Sequence, residues 1–427
     1  MNFSQLPPSL SLDDCLDKIQ SRTFRFFWDG AHPESGLPFD KCFVSGAPSP
    51  NMVSISGVGF GVLAIIVASE RQWITRSQAL ARISTIIDRL RHSPTFHGAF
   101  AHFIDGSTSD VIRFSGRDDG GDLVETTLLL QGLICAREYF AGETTREEKL
   151  RADVTRLFDE VEWDWFTRGK DDALYWHWSP NYDWAMNLPI RGWNEALSCY
   201  VLAAGSDTHP IRPESYHAGW ARSGAMLNGE TYLGTKLPLG EPYGGPLFIS
   251  HYSFCALDPR GLSDRYCSNY RDQAVAHTRI NHDYCLTVPD YAGAGVWGLS
   301  ASDGPQGYGA HSPTFDRGVI APTAALSSFP FLPAEAESAM RALLHYGDGK
   351  LLGAFGFVDS FAPKTGWVAG TYLAIDQGPI IAMIENYRSG LLWRLFMNAP
   401  EVRRGLSRLG FTSTGHSITP EMPISVA

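Results

Sequence analysis

No stretch of this chain is apolar for long enough to cross a bilayer. The longest run, Gly57 to Ala68, falls short of the roughly 20 residues a spanning helix needs and is interrupted by glycine. Positive charge is scarce as well. With 35 Lys and Arg against 46 Asp and Glu, the net charge of -11 leaves no basic face for a phosphate backbone or an anionic lipid. Nucleic acid and membrane surfaces are therefore poor partners, and a neutral substrate suits the chain better. The opening residues, MNFSQLPPSLSLDDCL, hold neither a basic nor an apolar leader segment. A cytoplasmic protein is expected as the sequence stands, or a periplasmic or secreted one if a leader has been removed.

Motifs for metal, thiol and serine chemistry are missing too. Cys15, Cys42, Cys135, Cys199, Cys255, Cys267 and Cys285 form no C-x-x-C pair, several sit in apolar segments, and their odd number leaves one unpaired. Reduced, structural thiols are expected. The 13 histidines show no H-E-x-x-H or comparable ligand spacing, and there is no G-x-S-x-G turn. Gly293-Ala294-Gly295-Val296-Trp297-Gly298 spells G-x-G-x-x-G without the strand, helix and acidic residue of a dinucleotide site. No metal and no organic cofactor is expected.

What the chain does contain is helical periodicity of two kinds, taking turns. Amphipathic segments run over Ser11 to Trp28, Thr75 to His92, Thr144 to Glu160, Pro213 to Arg222, Ser263 to Leu286 and Pro333 to Tyr346. Between them lie segments apolar nearly all round: Gly57 to Ser69, Leu123 to Phe140, Ala196 to Ala204, a weaker Ser250 to Leu257, Pro322 to Phe329 and Gly378 to Met397. Ser11 with Asp14, Thr75 with Gln78 and Thr144 with Glu147 have the spacing at which a side chain closes a first turn. Six outer helices alternating with six inner ones predict an all-α double ring, the (α/α)6 toroid. The long loops His97 to Phe114, Ala173 to Gly192, Gly224 to Pro246 and Val288 to Gly318 are aromatic and rich in Gly and Pro, with Asp105-Gly106 placed to turn a minor β-hairpin at the rim. No low-complexity linker divides the chain. One domain is expected over 1–411, followed by a mobile tail over 412–427.

Carboxylates gather at predicted inner-helix starts. Asp118, Asp119, Asp122 and Glu125 precede or open one of them. Capping explains Asp122 and Glu125 but not the other two, and clustered carboxylates also accept hydrogen bonds from sugar hydroxyls. In the segment from Tyr175 to Glu195, Trp176, Trp178, Tyr182, Trp184 and Trp193 alternate with His177, Asn181, Arg191 and Asn194. Flat rings stack on pyranose C–H faces while the polar groups bond hydroxyls, so the mixture suits a glycan groove; core packing is the competing reading for any one tryptophan. Glu195 opens an apolar helix among aromatic residues. Desolvation there would keep its carboxyl protonated, as a general acid requires, with a cap as the alternative. Asp376, at another inner-helix start, is placed to face Glu195 across the ring and activate water, again with capping as the rival.

At this point whole motifs match. Phe26-Phe27-Trp28-Asp29, His32-Pro33-Glu34-Ser35-Gly36, Gly121-Asp122-Leu123-Val124-Glu125-Thr126, Trp193-Asn194-Glu195, Leu257-Asp258-Pro259-Arg260 and Ala374-Ile375-Asp376-Gln377-Gly378-Pro379 resemble, in order, the bacterial glucoamylase-like proteins that include glycoside hydrolase family 144. The resemblance implies the same toroid and cofactor-free, endo-type, inverting hydrolysis of β-1,2-glucan to short sophorooligosaccharides. Relatives of that group instead release sophorose or transfer glucosyl units, and a non-catalytic glycan-binding protein is the more distant alternative. It assigns Glu195 as the essential acid and Asp376 as the candidate base, one of the Asp118 to Glu125 carboxylates being the other possible base. Matched motifs around His251-Tyr252 and Gly309-Ala310-His311 add His251, Tyr252 and His311 to the substrate-binding candidates.

Overall fold

The two kinds of periodic segment fold into two sets of helices. The computed structural model describes residues 10–47, 49–170 and 172–416. In chain order its helices are α1 (Leu12–Trp28), α2 (Ile55–Glu70), α3 (Arg76–Leu90), α4 (Leu123–Tyr139), α5 (Thr145–Asp159), α6 (Leu197–Gly205), α7 (Tyr270–Thr287), α8 (Pro289–Ala294), α9 (Pro322–Leu326), α10 (Pro333–His345), α11 (Ala374–Arg388), α12 (Leu391–Asn398) and α13 (Pro400–Arg408). The predicted caps form: Ser11 accepts from the Asp14 N–H, Thr75 and Gln78 close a reciprocal box, and Thr144 accepts from the Glu147 N–H. Each such cap contributes about 1 kcal/mol.

Inner helices are buried on every side. α2 is buried from Ile55 to Ser69 and α4 from Leu123 to Arg137, and each fully buried aliphatic side chain there contributes roughly 1.5–3 kcal/mol. α2 and α4 cross at Gly59 and Gly132, where a Cβ on Gly59 would run into the Leu128 carbonyl and one on Gly132 into that of Gly59. α11 packs on α1 and α2 and closes the ring; α9 packs on α11 and α10. This is the all-α toroid expected, with sheets of only two or three short strands among the described residues.

Three segments differ from expectation. Ser250 to Leu257 forms no helix; the 3-10 turns Leu247–Ser250 and Ser253–Cys255 fill that inner position against α7 and α11. Pro213 to Arg222 narrows to a π-helical turn, Ser215–Trp220, anchored by buried Tyr216 and Trp220. Gly378 to Met397 is two helices, because Gly390 takes φ +66° and turns the chain between α11 and α12.

Strand pairs then fix the rim. Lys41–Phe43 pairs with Thr371–Leu373 and so ties Asp40 to the start of α11; Gly121–Asp122 pairs with His177–Trp178 and ties the acidic loop to the aromatic segment. Phe103–Asp105 pairs with Val111–Ile112 in the expected hairpin. Its turn is longer than two residues and is built by Asp105, which accepts from the Ser107 and Thr108 N–H groups. The tail expected to be mobile from Thr412 is held through His416: Thr412–Ser413 pairs with Leu262–Ser263, and His416 Nε2 lies 2.9 Å from Asp258 Oδ2. Residues 417–427 of the expected tail and the opening residues 1–9 lie outside the described residues. All seven cysteines are buried and free. No helix among the described residues is long and apolar enough to cross a membrane.

Candidate active site

At the N-terminal end of α4 both readings of Asp122 hold at once. Its Oδ1 caps the helix, accepting from the Val124 and Glu125 N–H groups at 3.0 and 2.9 Å, while Oδ2 lies 2.9 Å from His102 Nδ1 and 3.2 Å from Trp176 Nε1. Glu125 does not reach back to complete a box. It accepts from the Ser56 N–H at 2.7 Å, and burial pushes its carboxyl above the ordinary range. Burial alone would drive the proton off His102, but Glu125, Asp122 and Asp118 outweigh it and raise the imidazole to about 9. A cation therefore stands inside this acidic wall at neutral pH. His102, Asp118 and Asp122 bring ligand atoms within 4.8 Å of one another; the imidazolium supplies the positive charge there. Exposed Phe114 stacks on the His102 ring at 4.4 Å.

Glu195 belongs to the same wall and has no cation. Helix α6 starts at Leu197, and its entry turn is closed by Asn194 Oδ1 accepting from the Ala196 N–H at 3.0 Å, so Glu195 is not the cap. Burial raises its carboxyl to about 7; its own N–H opposes the shift, and the charges of Asp122 and Glu125 add to it. The residue nonetheless remains partly accessible.

Across the ring, Asp376 lies in the first turn of α11 and makes no cap bond, since Leu373 occupies the N-cap. Its neighbours come from three other segments. Asp359 Oδ2 accepts from the Asp303 N–H at 2.6 Å, and Asp303 is in turn held by Lys41 Nζ at 3.1 Å and Thr371 Oγ1 at 2.7 Å. Asp359 Oδ1 and Asp376 Oδ2 are buried with no other donor. Burial raises both carboxyls: the Asp359 charge adds to the rise at Asp376, while at Asp359 the Asp303 charge adds to it and the interaction with Asp376 opposes it. Asp40 is raised by burial beside them. The phenol of Tyr252 senses both walls: after burial, the groups that raise it are Asp376, Tyr308 and Glu195.

The predicted residues sort into three groups. Asp118, Asp122, Glu125, Trp176, His177, Glu195, Tyr252 and Asp376 come together, Asp118 Oδ1 lying 3.2 Å from His177 Nε2. A second group braces the walls rather than facing a ligand. Both oxygens of Asp119 are taken, by Ser179 Oγ at 2.5 Å and Asn181 Nδ2 at 2.9 Å, and with Arg113 these overcome burial and lower its pKa. Asn194 closes α6, and Arg191 pairs with Asp172 at the surface. The third group is elsewhere. Trp193 is core, packed on Trp220, Phe254 and Tyr270. His251 is buried against Phe331 with Nε2 3.1 Å from Ser328 Oγ, and burial lowers it to about 3, so it stays neutral. His311 is buried on Phe315 with both ring nitrogens unpartnered. Trp178 and Trp184 turn towards Trp165 instead, while Tyr182 stays exposed. Sequence reasoning missed His102, Phe114, Asp40, Asp303, Tyr308 and Asp359. Only Phe114 and Tyr308 carried a signal, as aromatic residues in long rim loops.

Comparison with known proteins places the chain in a family. Residues 187–400 match the Glycoamylase family, described as "Putative glucoamylase". A Bacteroides uniformis structure with that description is 48% identical, with a TM-score of 0.91 over 95% of this chain and 99% of its own. An endo-beta-1,2-glucanase from Chitinophaga pinensis, solved with sophorotriose and glucose, is 46% identical, with a TM-score of 0.92 over 95% and 99% of the two chains. The exo beta-1,2-glucooligosaccharide sophorohydrolase (non-reducing end) of Parabacteroides distasonis is 40% identical over 425 residues. That match takes in 93% of this chain but only 58% of the relative's length. The chain belongs to the glucoamylase-like Glycoamylase family.

Proposed function

We propose that this chain is a glycoside hydrolase that cleaves β-1,2-glucan by endo-type attack with inversion, releasing short sophorooligosaccharides. The observation that carries the reading is the presence of two helix-start carboxyls that cap nothing, Glu195 and Asp376, both within electrostatic reach of the Tyr252 phenol. Glu195, protonated near neutral pH, gives its proton to the glycosidic oxygen as the C1–O bond breaks. Water attacks C1 from the opposite face and gives its proton to the ionised form of Asp376, whose affinity for that proton is raised by burial and by the Asp359 charge. Each carboxyl answers to its own cluster, Glu195 to Asp122 and Glu125, Asp376 to Asp359, Asp303 and Asp40. Inversion requires the two carboxyls to stand roughly 6.5–9.5 Å apart, leaving room for a water, rather than at the ~5 Å approach of a covalent mechanism. Asp118, Asp122, Glu125, His102 and Trp176 bind hydroxyls, and Phe114 and Tyr308 offer rings to the sugar faces.

Endo attack is favoured because one of the relatives matched end to end is named an endo-glucanase, whereas the exo-acting relative has much further chain. Incubation with linear β-1,2-glucan, followed by chain-length analysis and proton NMR of the fresh product, tests the reading. A mixed series of sophorooligosaccharides carrying the α-anomer is expected, and none from a folded Glu195→Gln variant. Sophorose alone would replace endo with exo attack; no product would overturn the substrate assignment.

A further inference from the structure

An aromatic cradle lies outside both carboxylate clusters. Trp165, Trp184, Glu162, Asp164, Lys170 and His209 line a cavity of about 640 Å³, within the range of small-ligand sites, that includes none of the residues assigned above to the reaction. Trp165 leaves 41% of its surface open. An indole so exposed gains nothing for the fold from its outer face.

The cradle is built rigidly. The His97 ring stacks on Trp165 at 3.9 Å and 13°, and Glu162 Oε2 fixes His97 Nδ1 at 2.8 Å. Trp178 meets Trp165 edge-on at 6.2 Å, and Trp184 adjoins it at 6.3 Å with a 33° tilt. Arg168 lies over the Tyr175 and Trp184 rings at 4.6 and 5.4 Å and bonds Asn187 Oδ1 at 2.9 Å. Little side-chain freedom remains to be lost on binding.

Charge selects the ligand class. Glu162 and Asp164 stand against Arg168 and Lys170, with His209 3.1 Å from Asp164, so the walls carry both signs in equal number. An ion would meet as much repulsion as attraction. A neutral polyhydroxylated ring meets donors and acceptors for its hydroxyls and indole faces for its C–H groups. The strand His177–Trp178 links this cradle to the cleft: Trp178 backs Trp165, and Trp176 just before it bonds Asp122.

We propose that the cradle around Trp165 and Trp184 is an accessory binding site for a neutral glucan chain, holding polymer beside the cleft. Its choice of glucan rests on the substrate reading above. The test is affinity electrophoresis of the Glu195→Gln protein, with and without Trp165→Ala, through gels containing β-1,2-, β-1,3- or β-1,4-glucan, together with kinetics of Trp165→Ala in the active enzyme. Trp165→Ala is expected to lower retardation in one glucan gel about fivefold. It should raise KM for the polymer three- to tenfold while kcat/KM on short sophorooligosaccharides stays within twofold. Unchanged retardation and polymer KM in a wild type that cleaves the glucan would overturn the site and leave the cleft reading intact. Trp165-dependent binding to a glucan that the wild type does not cleave would keep the site and overturn the substrate reading. Should Trp165→Ala not fold, Trp165→Phe and Lys170→Ala, which leave a ring on His97, carry the same comparison with smaller losses.

Discussion

The two acidic walls of the cleft manage buried negative charge by different means. Around Asp122 the charge is met by the His102 imidazolium and by the N–H groups of Val124, Glu125 and Ser56. Burial still raises Glu125 there, and Glu195 rises to about 7. Around Asp376 the cation is spent elsewhere: Lys41 pairs with Asp303, and no donor reaches the facing oxygens of Asp359 and Asp376. Burial and the Asp359 charge push Asp376 upward instead. In the mechanism proposed above, the Asp122 wall donates a proton through Glu195 and the Asp376 wall receives one.

Removing the receiving group breaks the comparison most severely. Asp376→Asn is expected to lower kcat on β-1,2-glucan by roughly 10²–10⁴-fold with an unchanged circular dichroism spectrum; a loss below tenfold would move the base to the Asp122 wall. Next in size is Asp359→Asn. Its amide can donate to Asp376 and no longer repels its charge, so the acidic limb of the pH–rate profile should move to lower pH with kcat about 10–100-fold down. A loss of kcat with no movement of that limb would mean that Asp359 only supports the fold.

The Glu195 wall gives a thermodynamic counterpart. With a folded pKa near 7 against an ordinary value of 4.5, its contribution to stability is full below pH 4.5 and is lost as pH rises through 7. Glu195→Gln should therefore melt with the wild type at pH 4 and above it at pH 8, by on the order of 1–2 kcal/mol after allowing for partial access to water. Equal melting temperatures at both pH values would show that the carboxyl is not desolvated. The smallest effect on turnover is expected next door. Trp193→Phe should cost about 1–2 kcal/mol of stability through lost packing on Trp220 and Tyr270, with kcat/KM within twofold of wild type.

Much of this was legible before the fold was seen. Helix starts were readable because Ser11, Thr75 and Thr144 act within one turn, and the inner ring because α2 and α4 are apolar on all sides. Asp122, Glu195 and Asp376 were visible as acids at helix starts. Their partners were not: Asp359, Asp303, Asp40 and His102 reach the cleft from separate loops through strand pairs such as Lys41–Phe43 with Thr371–Leu373, and no local spacing encodes such a meeting. Composition does not separate the two readings of Trp193, because a tryptophan in a polar stretch reads alike whether it faces a groove or a core, and at His251 a matched motif does not say which way the ring points. The break at Gly390 was hidden by apolar residues on both sides of it.

The measurement closest to the central claim is kcat/KM on linear β-1,2-glucan from pH 5 to 9. A protonated Glu195 acting as the acid predicts a rate that falls tenfold per pH unit above a midpoint near 7; a rate that holds level to pH 9 would contradict it.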